Sequence, residues 1–407
     1  MPATMTTVSG ILKEVYEDDL QEQLNNDVVA LRRVEKTAEG TSSTVGGRYV
    51  SFAIHTRRNT GIGARLEMEA LPSPGHQSAA AAQLKLKHLY GRAQLSGQTF
   101  ELANTNVQAF SSALDVEMTG LRKDLAKDLN RQVHGTGTGA IGTINDVVTD
   151  VTLPVDRADL FNIGDFVDII TLPNTVAVAG RTVEAVDLTP GANTVTISGA
   201  NVTTIVGQII TRAGNGPVLD SGSVVNREWT GLAAIIDNLG ELYGVDPASE
   251  PVWKSKVDAN AGTPRAVSEG LMTRMSDDIY VESGENVTAI FTTLGVRRAY
   301  ANLLRNQRIY SNVKDFTGGF SGIGFVTDRG EIPIVVDKDA APGTMNFVNE
   351  DQLKWYRTHD WKFMDRDGSK WERVTGYDAY SCTLFQYSEL GTHRRNAHGV
   401  IKDLIEE

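Results

Sequence analysis

Seven histidines, one cysteine and 51 acidic residues are the groups from which a catalytic or metal site in this chain would be built. His393 and His398 flank Arg394 and Arg395. A zinc helix places two histidines four apart around a glutamate, and this cluster has neither the spacing nor the glutamate. Two guanidiniums would also repel a cation. The cluster therefore reads as a solvated turn or a subunit-contact patch. Asp365-Arg366-Asp367-Gly368 opens like a calcium loop, but Ser369 and Lys370 follow and no acidic residue closes the loop. A hairpin turn explains it. His134-Gly135-Thr136-Gly137-Thr138-Gly139 has the glycines of a phosphate loop without the lysine, and it follows a helix where a strand is required. It reads as a helix stop and linker. Cys382, the single cysteine, excludes an internal disulfide and a cysteine zinc site, and reads as a small buried hydrophobe. No nucleophile elbow is present. Asn201 and Asn286 begin glycosylation triplets that are coincidental in a chain without a secretion signal. Trp355, Tyr356 and Trp361 resemble a ligand platform, yet at strand spacing they read as core or interface. No catalytic, metal or cofactor site is expected.

The elements that would position such residues are more informative. Val107, Phe110, Leu114, Met118, Leu121, Leu125 and Leu129 recur at steps of three and four, so one stripe of a long helix is predicted over 104–134. Thr105 and Gln108 form a capping box, and Lys123, Lys127 and Arg131 suit the far end of the dipole. About thirty residues at ~1.5 Å each give a rod of roughly 45 Å. A single narrow stripe makes it a strut laid across something else, with Gly120 a weak point.

Residues 1–47 read as an arm, with Leu12, Val15, Tyr16, Leu20 and Leu24 on one face of a short helix. Residues 48–103 read as a protruding hairpin. Val50, Phe52 and Ile54 alternate in one strand, Leu84 and Leu86 in the other, with Arg57, Arg58 and Arg65 in the mobile segment between. Residues 140–216 hold about five short Val-, Thr- and Ile-rich strands, and no lysine occurs between Lys127 and Lys254. That pattern predicts a small inserted β-barrel or sandwich. Such a module serves equally as decoration, folding aid or binding patch. From 217 onward the chain is mixed α/β. A helix is expected to carry Leu232, Ile235, Ile236 and Leu239, and Thr263-Pro264 to cap the next, whose Val267, Leu271, Met275 and Ile279 face inward. Trp361 and Phe363 are expected to pair with Trp371 and Val374 across Asp367-Gly368.

The chain has 407 residues, room for two or three domains, and a net charge of −12. That balance disfavours tight nucleic-acid binding but suits a container holding DNA loosely. No signal peptide and no run of eighteen apolar residues is present, so a soluble intracellular protein is expected.

The order of parts is arm, hairpin, rod helix ending in glycines, then mixed body. With LDVEMTGLRKDLAKDLNRQVHGTGTG, EIPIVVDKDAAPGTMNFVN, DQLKWY and FQYSELGTHRRNAHGVIKDL, it resembles a tailed-phage major capsid protein of the HK97-like fold, actinobacterial-phage-like in its ending. The resemblance implies an α+β fold with N-arm (1–47), E-loop hairpin (48–103), spine helix and glycine linker (104–139), and an inserted all-β domain (140–216). It places axial-domain material at 217–262, peripheral-domain material at 263–350 with the spine, and axial-domain and C-terminal material at 351–407. It further implies self-assembly as pentamers and hexamers into an icosahedral head around double-stranded DNA. The implied partners are copies of itself, a separate scaffolding protein, a portal and a cement protein, with no membrane. The chain would be made in the host cytoplasm and end in the virion. Subunit contacts are expected at Arg57, Arg58, Arg65, Arg394 and Arg395. An encapsulin-like cargo shell is the alternative within the fold. A carbohydrate-binding or enzymatic protein using the β module is the alternative outside it.

Overall fold

A helix of 28 residues, Val107–His134, crosses the molecule. The computed structural model describes residues 27–38, 49–97, 107–189, 192–220, 222–304, 324–365 and 372–407. The arm helix expected at 12–24, Thr105 of the capping box, and the Asp367-Gly368 turn with Trp371 lie outside them. At ~1.5 Å per residue the helix spans about 42 Å. Met118, Leu121 and Leu125 are half-buried and Leu129 is buried, while Thr119, Arg122, Lys123 and Asp124 are exposed. The stripe thus covers one side. It lies on the strand Lys87–Ser96, where a Cβ on Gly91 would stand 2.6 Å from Leu125 Cδ1. Only a glycine lets helix and strand approach this closely. Gly137 and Gly139 take positive φ past the last turn, as a helix stop requires.

The sheet under the helix is centred on the long strand Ala379–Thr392. Lys87–Ser96 pairs antiparallel along one edge, from Ala379↔Ser96 to Ser388↔Lys87. Leu353–Arg357, Lys362–Phe363 and Glu372–Arg373 pair in turn along the other. The expected pairing of Trp361 and Phe363 with Trp371 and Val374 is corrected here: Phe363 pairs with Leu384 and Arg373 with Tyr380, so both short strands use the long strand and not each other.

A second, six-stranded sheet runs in the order Lys256–Asp258, Gly399–Ile401, Met345–Val348, Ala289–Thr292, Gly330–Val336, Gly324–Thr327. Both faces are covered, so its central strands Ala289–Thr292, Met345–Val348 and Gly399–Ile401 are buried along their whole length. Side chains alternate between two cores with period two. Ile290, Ile334, Phe347 and Ile401 meet Met272, Met275 and Ile279 of the helix Glu269–Ser283 and Val296 of the helix Leu294–Leu304. Phe291, Val335, Val348 and Val400 face the other way, toward Leu129, Val133, Trp229 and Trp355. The long helix ends in that second core. The sheet takes strands from 256–258, 289–348 and 399–401, so it crosses the divisions at 262, 350 and 351 drawn from sequence. The segment 353–392 belongs to the sheet beneath the long helix.

Three local expectations change. The helix near residue 232 is only Leu232–Ile235, and Leu239 is exposed, because Asn238-Leu239-Gly240 turns the chain toward solvent. Ser268, not Thr263-Pro264, caps the helix Glu269–Ser283, its hydroxyl accepting from the Leu271 N–H at 3.3 Å. The third change concerns the hairpin. Tyr49–Arg57 pairs with Ser78–Lys85 alone, and Lys87–Ser96 is a separate strand of the body. The phase of burial slips at the junction: Ala82 and Leu84 are buried, then Leu89 and Gly91. An odd step reverses which face of a strand is buried, so one strand cannot span both sheets.

Residues 140–212 form a six-stranded sheet in the order Ala140–Thr143, Ile209–Arg212, Phe166–Thr171, Thr175–Asp187, Thr194–Ile197, Thr152–Pro154. The Ile144–Val155 bridge, with the Asp156 N–H donating to Thr143 O at 3.0 Å, joins the first strand to the last. The sheet therefore closes into a barrel without open edges. Its interior is filled by Ile141, Leu153, Phe161, Val167, Ile169, Val183, Val195, Ile197 and Ile210, a core apart from the other two. This is the inserted all-β domain.

Candidate functional site

The hairpin presents the most conspicuous surface. Ile62, Leu66, Met68 and Leu71 at its tip are 83%, 76%, 100% and 85% exposed. A cluster of large apolar side chains this open marks an interaction surface. The expected contact arginines surround it. Arg58 is exposed. Arg65 folds back on its own loop, donating to Ala70 O at 2.8 Å and Ala64 O at 2.9 Å. Arg57 lies 3.9 Å from Glu250 with most of its side chain in solvent. At its root the hairpin is anchored. The Gln83 N–H donates to Tyr243 O at 2.9 Å, and the Phe52 ring packs 4.6 Å from His393 and 6.2 Å from Tyr243.

The 393–398 cluster is corrected: Arg395, Ala397 and His398 are interior. Arg395 is 0% exposed and donates to Ile235 O at 3.0 Å, Gly240 O at 2.7 Å and Ala234 O at 3.1 Å. It gathers carbonyls at the end of the short helix 232–235 and in the turn after it, so it is unavailable to a neighbour. His398 is equally buried. Its Nδ1 accepts from the Asn349 N–H at 3.3 Å, so Nε2 carries the proton and faces Thr392 Oγ1 at 3.0 Å. Burial pushes its pKa down to about 3, and it stays neutral. Arg394 is partly open, as are His393 and Asn396, and it pairs with Glu285 and the carbonyl of Ser283. Arg58 and Arg394 line one cleft between hairpin and body, with Glu282 on its wall. Cys382, Trp355 and Tyr356 are buried, as a core reading expects. Among the described residues no group of three acidic, histidine or cysteine side chains is placed to hold a metal.

The polar groups that sequence reasoning missed gather at the last turn of the long helix. Asn130, Arg131, Gln132 and His134 are all buried. Arg131 clasps Glu228 through both carboxylate oxygens at 2.7 and 2.8 Å, reaches Asp128 at 3.1 Å, and donates to Ala140 O at 3.1 Å at the start of the barrel. Burial opposes its charge, but Asp128 and Glu228 more than offset this and hold its pKa above the ordinary guanidinium value. Gln132 donates to Asp128 at 2.7 Å and accepts from the Trp229 N–H at 3.1 Å. Asn130 donates to Asp337 at 3.0 Å and Asp339 at 2.6 Å, and its carbonyl accepts from the Leu31 N–H at 3.0 Å. Asp337 also accepts from the Ala30 N–H at 2.9 Å, so it caps the first turn of the helix Val29–Ala38. Burial opposes its charge too, yet His134 Nε2 at 3.3 Å and the amides of Asp339 and Ala30 hold its carboxyl well below the usual range. Arg157 of the barrel donates to the carbonyls of Lys338 at 2.9 Å and Ala340 at 2.8 Å. The loop 337–340 thus ties the N-terminal helix, the long helix and the barrel together. One signal was available in sequence: around Val133, which continues the apolar stripe from Leu129, the last turn of the helix is polar on every side.

Residues 208–404 match the family model described as SU10 major capsid protein. No curated protein matches the chain. Among solved structures, the fold is similar to the capsid asymmetric unit of cyanophage A-1(L), with a TM-score of 0.64, 13% identity and 99% of each chain covered. It is also similar to the capsid of an empty GTA particle, with a TM-score of 0.51, 9% identity and 98% of each chain covered. At such identities the likeness is one of fold, the HK97-like fold of phage capsids.

Proposed function

We propose that this chain, a major capsid protein by its family match and HK97-like by its fold, assembles as pentamers and hexamers into an icosahedral phage head around double-stranded DNA. The observation that carries the reading is the 208–404 match, laid on a body that holds an apolar hairpin tip out in solvent. A tip of this kind gains by leaving water, and apolar burial is worth about 25 cal/mol per Å². Repeated over every copy of a closed shell, modest contacts of this size stabilise the whole. Arg57, Arg58 and Arg65 would meet carboxylates of the adjacent copy, and Arg394 would reach across the cleft it shares with Arg58. A scaffolding protein, a portal and a cement protein are the expected partners, and the net charge of −12 suits an interior that holds DNA without gripping it.

Electron microscopy of the purified full-length protein, alone and co-expressed with neighbouring genes, tests the reading. Closed icosahedral particles with DNA-packaging partners support it. Particles filled with an enzyme cargo would turn the reading to a protein compartment. A monodisperse monomer under every condition would overturn both. Charge reversal of Arg57, Arg58 and Arg65 together should abolish closure, and unaltered particles would remove these arginines from the interface.

A further inference from the structure

The hairpin and the sheet beneath the long helix part company at one point. Pairing of Lys87–Ser96 with the long strand ends at Ser388↔Lys87, and the hairpin strand Ser78–Lys85 departs on the far side of Leu86. The next residue of the long strand is Glu389, 1% exposed. Its Oε1 accepts the Thr230 N–H at 2.7 Å and the Leu390 N–H at 3.2 Å. Its Oε2 faces Lys87 Nζ across 3.9 Å, while that ammonium donates to Asn226 O at 2.6 Å. The carboxyl therefore sits in the crotch of the fork, opposite a cation bonded elsewhere.

We propose that Lys87 and Glu389 form a proton-controlled joint that sets how the hairpin leaves the body. With Glu389 neutral, Oε1 is the carbonyl that takes both amides, and Oε2 carries the proton. An ammonium has nothing to accept that proton with, so Lys87 stays on Asn226 O and the gap stands open. With Glu389 ionised, Oε2 becomes a buried anion whose nearest cation, Lys87, stands 3.9 Å away and is bonded to Asn226 O. Lys87 is then drawn off Asn226 O toward it, or the fork opens to admit water. Either movement displaces the residue from which the hairpin pivots.

The charged and titratable groups facing the fork are few. Lys85 and Lys87 come from the hairpin side, Tyr243 from the turn that anchors Gln83, Tyr356 from the neighbouring strand opposite Glu389, and Arg395 from behind Tyr243. Burial raises the Glu389 carboxyl to about 7, and Lys87, the Thr230 and Leu390 amides and the Thr230 side chain only partly counter it. A raised carboxyl favours the folded arrangement while protonated, and that preference is lost as pH rises through about 7. The joint is thus at rest below pH 7 and loaded above it.

Amide hydrogen exchange of the purified full-length protein, corrected for intrinsic rates and followed from pH 5.5 to 8.5, tests the joint. Peptides covering 78–87 should exchange about tenfold faster at pH 8 than at pH 6, since around a value of about 7 the ionised fraction rises from roughly a tenth to roughly nine-tenths over those two units. Peptides of the six-stranded sheet should show no such step. Glu389→Gln, neutral throughout, should hold the hairpin peptides at their pH 6 behaviour. Lys87→Met removes the cation that favours ionisation, so it should move the step to higher pH. A wild-type profile without a step overturns the joint, even if neither variant folds. A step unchanged in Glu389→Gln overturns it as well.

Discussion

Among the described residues, Arg131 is the cation nearest to two carboxylates, Glu228 at 2.7 Å and Asp128 at 3.1 Å, with Arg212 farther off at 3.5 Å from Asp128. Removing it leaves the buried Glu228 without its cation and Asp128 with only the more distant Arg212, a loss of about 3–5 kcal/mol. Arg131→Ala is expected to lower stability by that amount in chemical denaturation. A change under about 1 kcal/mol would mean that water already reaches the pair. Asp337 makes a different prediction because its carboxyl is depressed. Its contribution is present above pH 3.8, the ordinary value, and is lost as pH falls through the lower folded value. Asp337→Asn should therefore destabilise by about 1–3 kcal/mol at neutral pH, through the lost cap and charge-assisted bonds. The same variant should show a shallower loss of stability than wild type between pH 4 and 2. Parallel acid limbs in the two proteins would show that Asp337 is not the group titrating.

At the scale of elements, the long helix tests two glycines of opposite meaning. Gly120 has nothing within 4 Å of where a Cβ would stand, so Gly120→Ala should gain about 0.5–1 kcal/mol from the helix alone. Gly91 lies beneath the same helix, and Gly91→Val would drive side chain into Leu121 and Leu125, costing about 1–3 kcal/mol. Thermal unfolding of the two variants should shift in opposite directions, and a shift of one sign for both would contradict the packing described. The helix itself was legible in sequence because seven apolar residues kept one period. The β insertion was legible because turns and β-branched strands alternate there. The hairpin boundary was misread, although the odd step from Leu86 to Leu89 was in view, since lysines at 85 and 87 continued the alternation that the buried face abandoned. The apolar run through Leu239 suggests a helix with that residue inward. Nothing local revealed that Arg395 would take the carbonyls of 234, 235 and 240 and end that helix early. Polar residues that are buried by distant segments, such as Asn130 by 337–339 and Glu228 by Arg131, carry no periodic signature. Only the fold brings them together.

For the molecule as a whole, the loop 337–340 and the hairpin divide the work. Through Asp337, Asp339 and the carbonyls taken by Arg157, the loop fixes the N-terminal helix, the long helix and the barrel to one another. The hairpin root is fixed by Gln83 and Phe52, while its tip contributes nothing to that network. Stability and association should therefore separate. Replacing Leu66, Met68 and Leu71 together by serine touches side chains at least 76% exposed, so folding of the unassembled chain should change by no more than about 0.5 kcal/mol. Assembly should respond in the opposite way, because the apolar area that a neighbour would cover is gone. Sedimentation velocity of matched preparations reads both effects. The variant should sediment as folded, unassembled subunits at concentrations where wild type forms particles. If the variant closes particles as readily as wild type, the tip is not the contact that ties subunits together. The association would then have to rest on the barrel or on the cleft shared by Arg58 and Arg394.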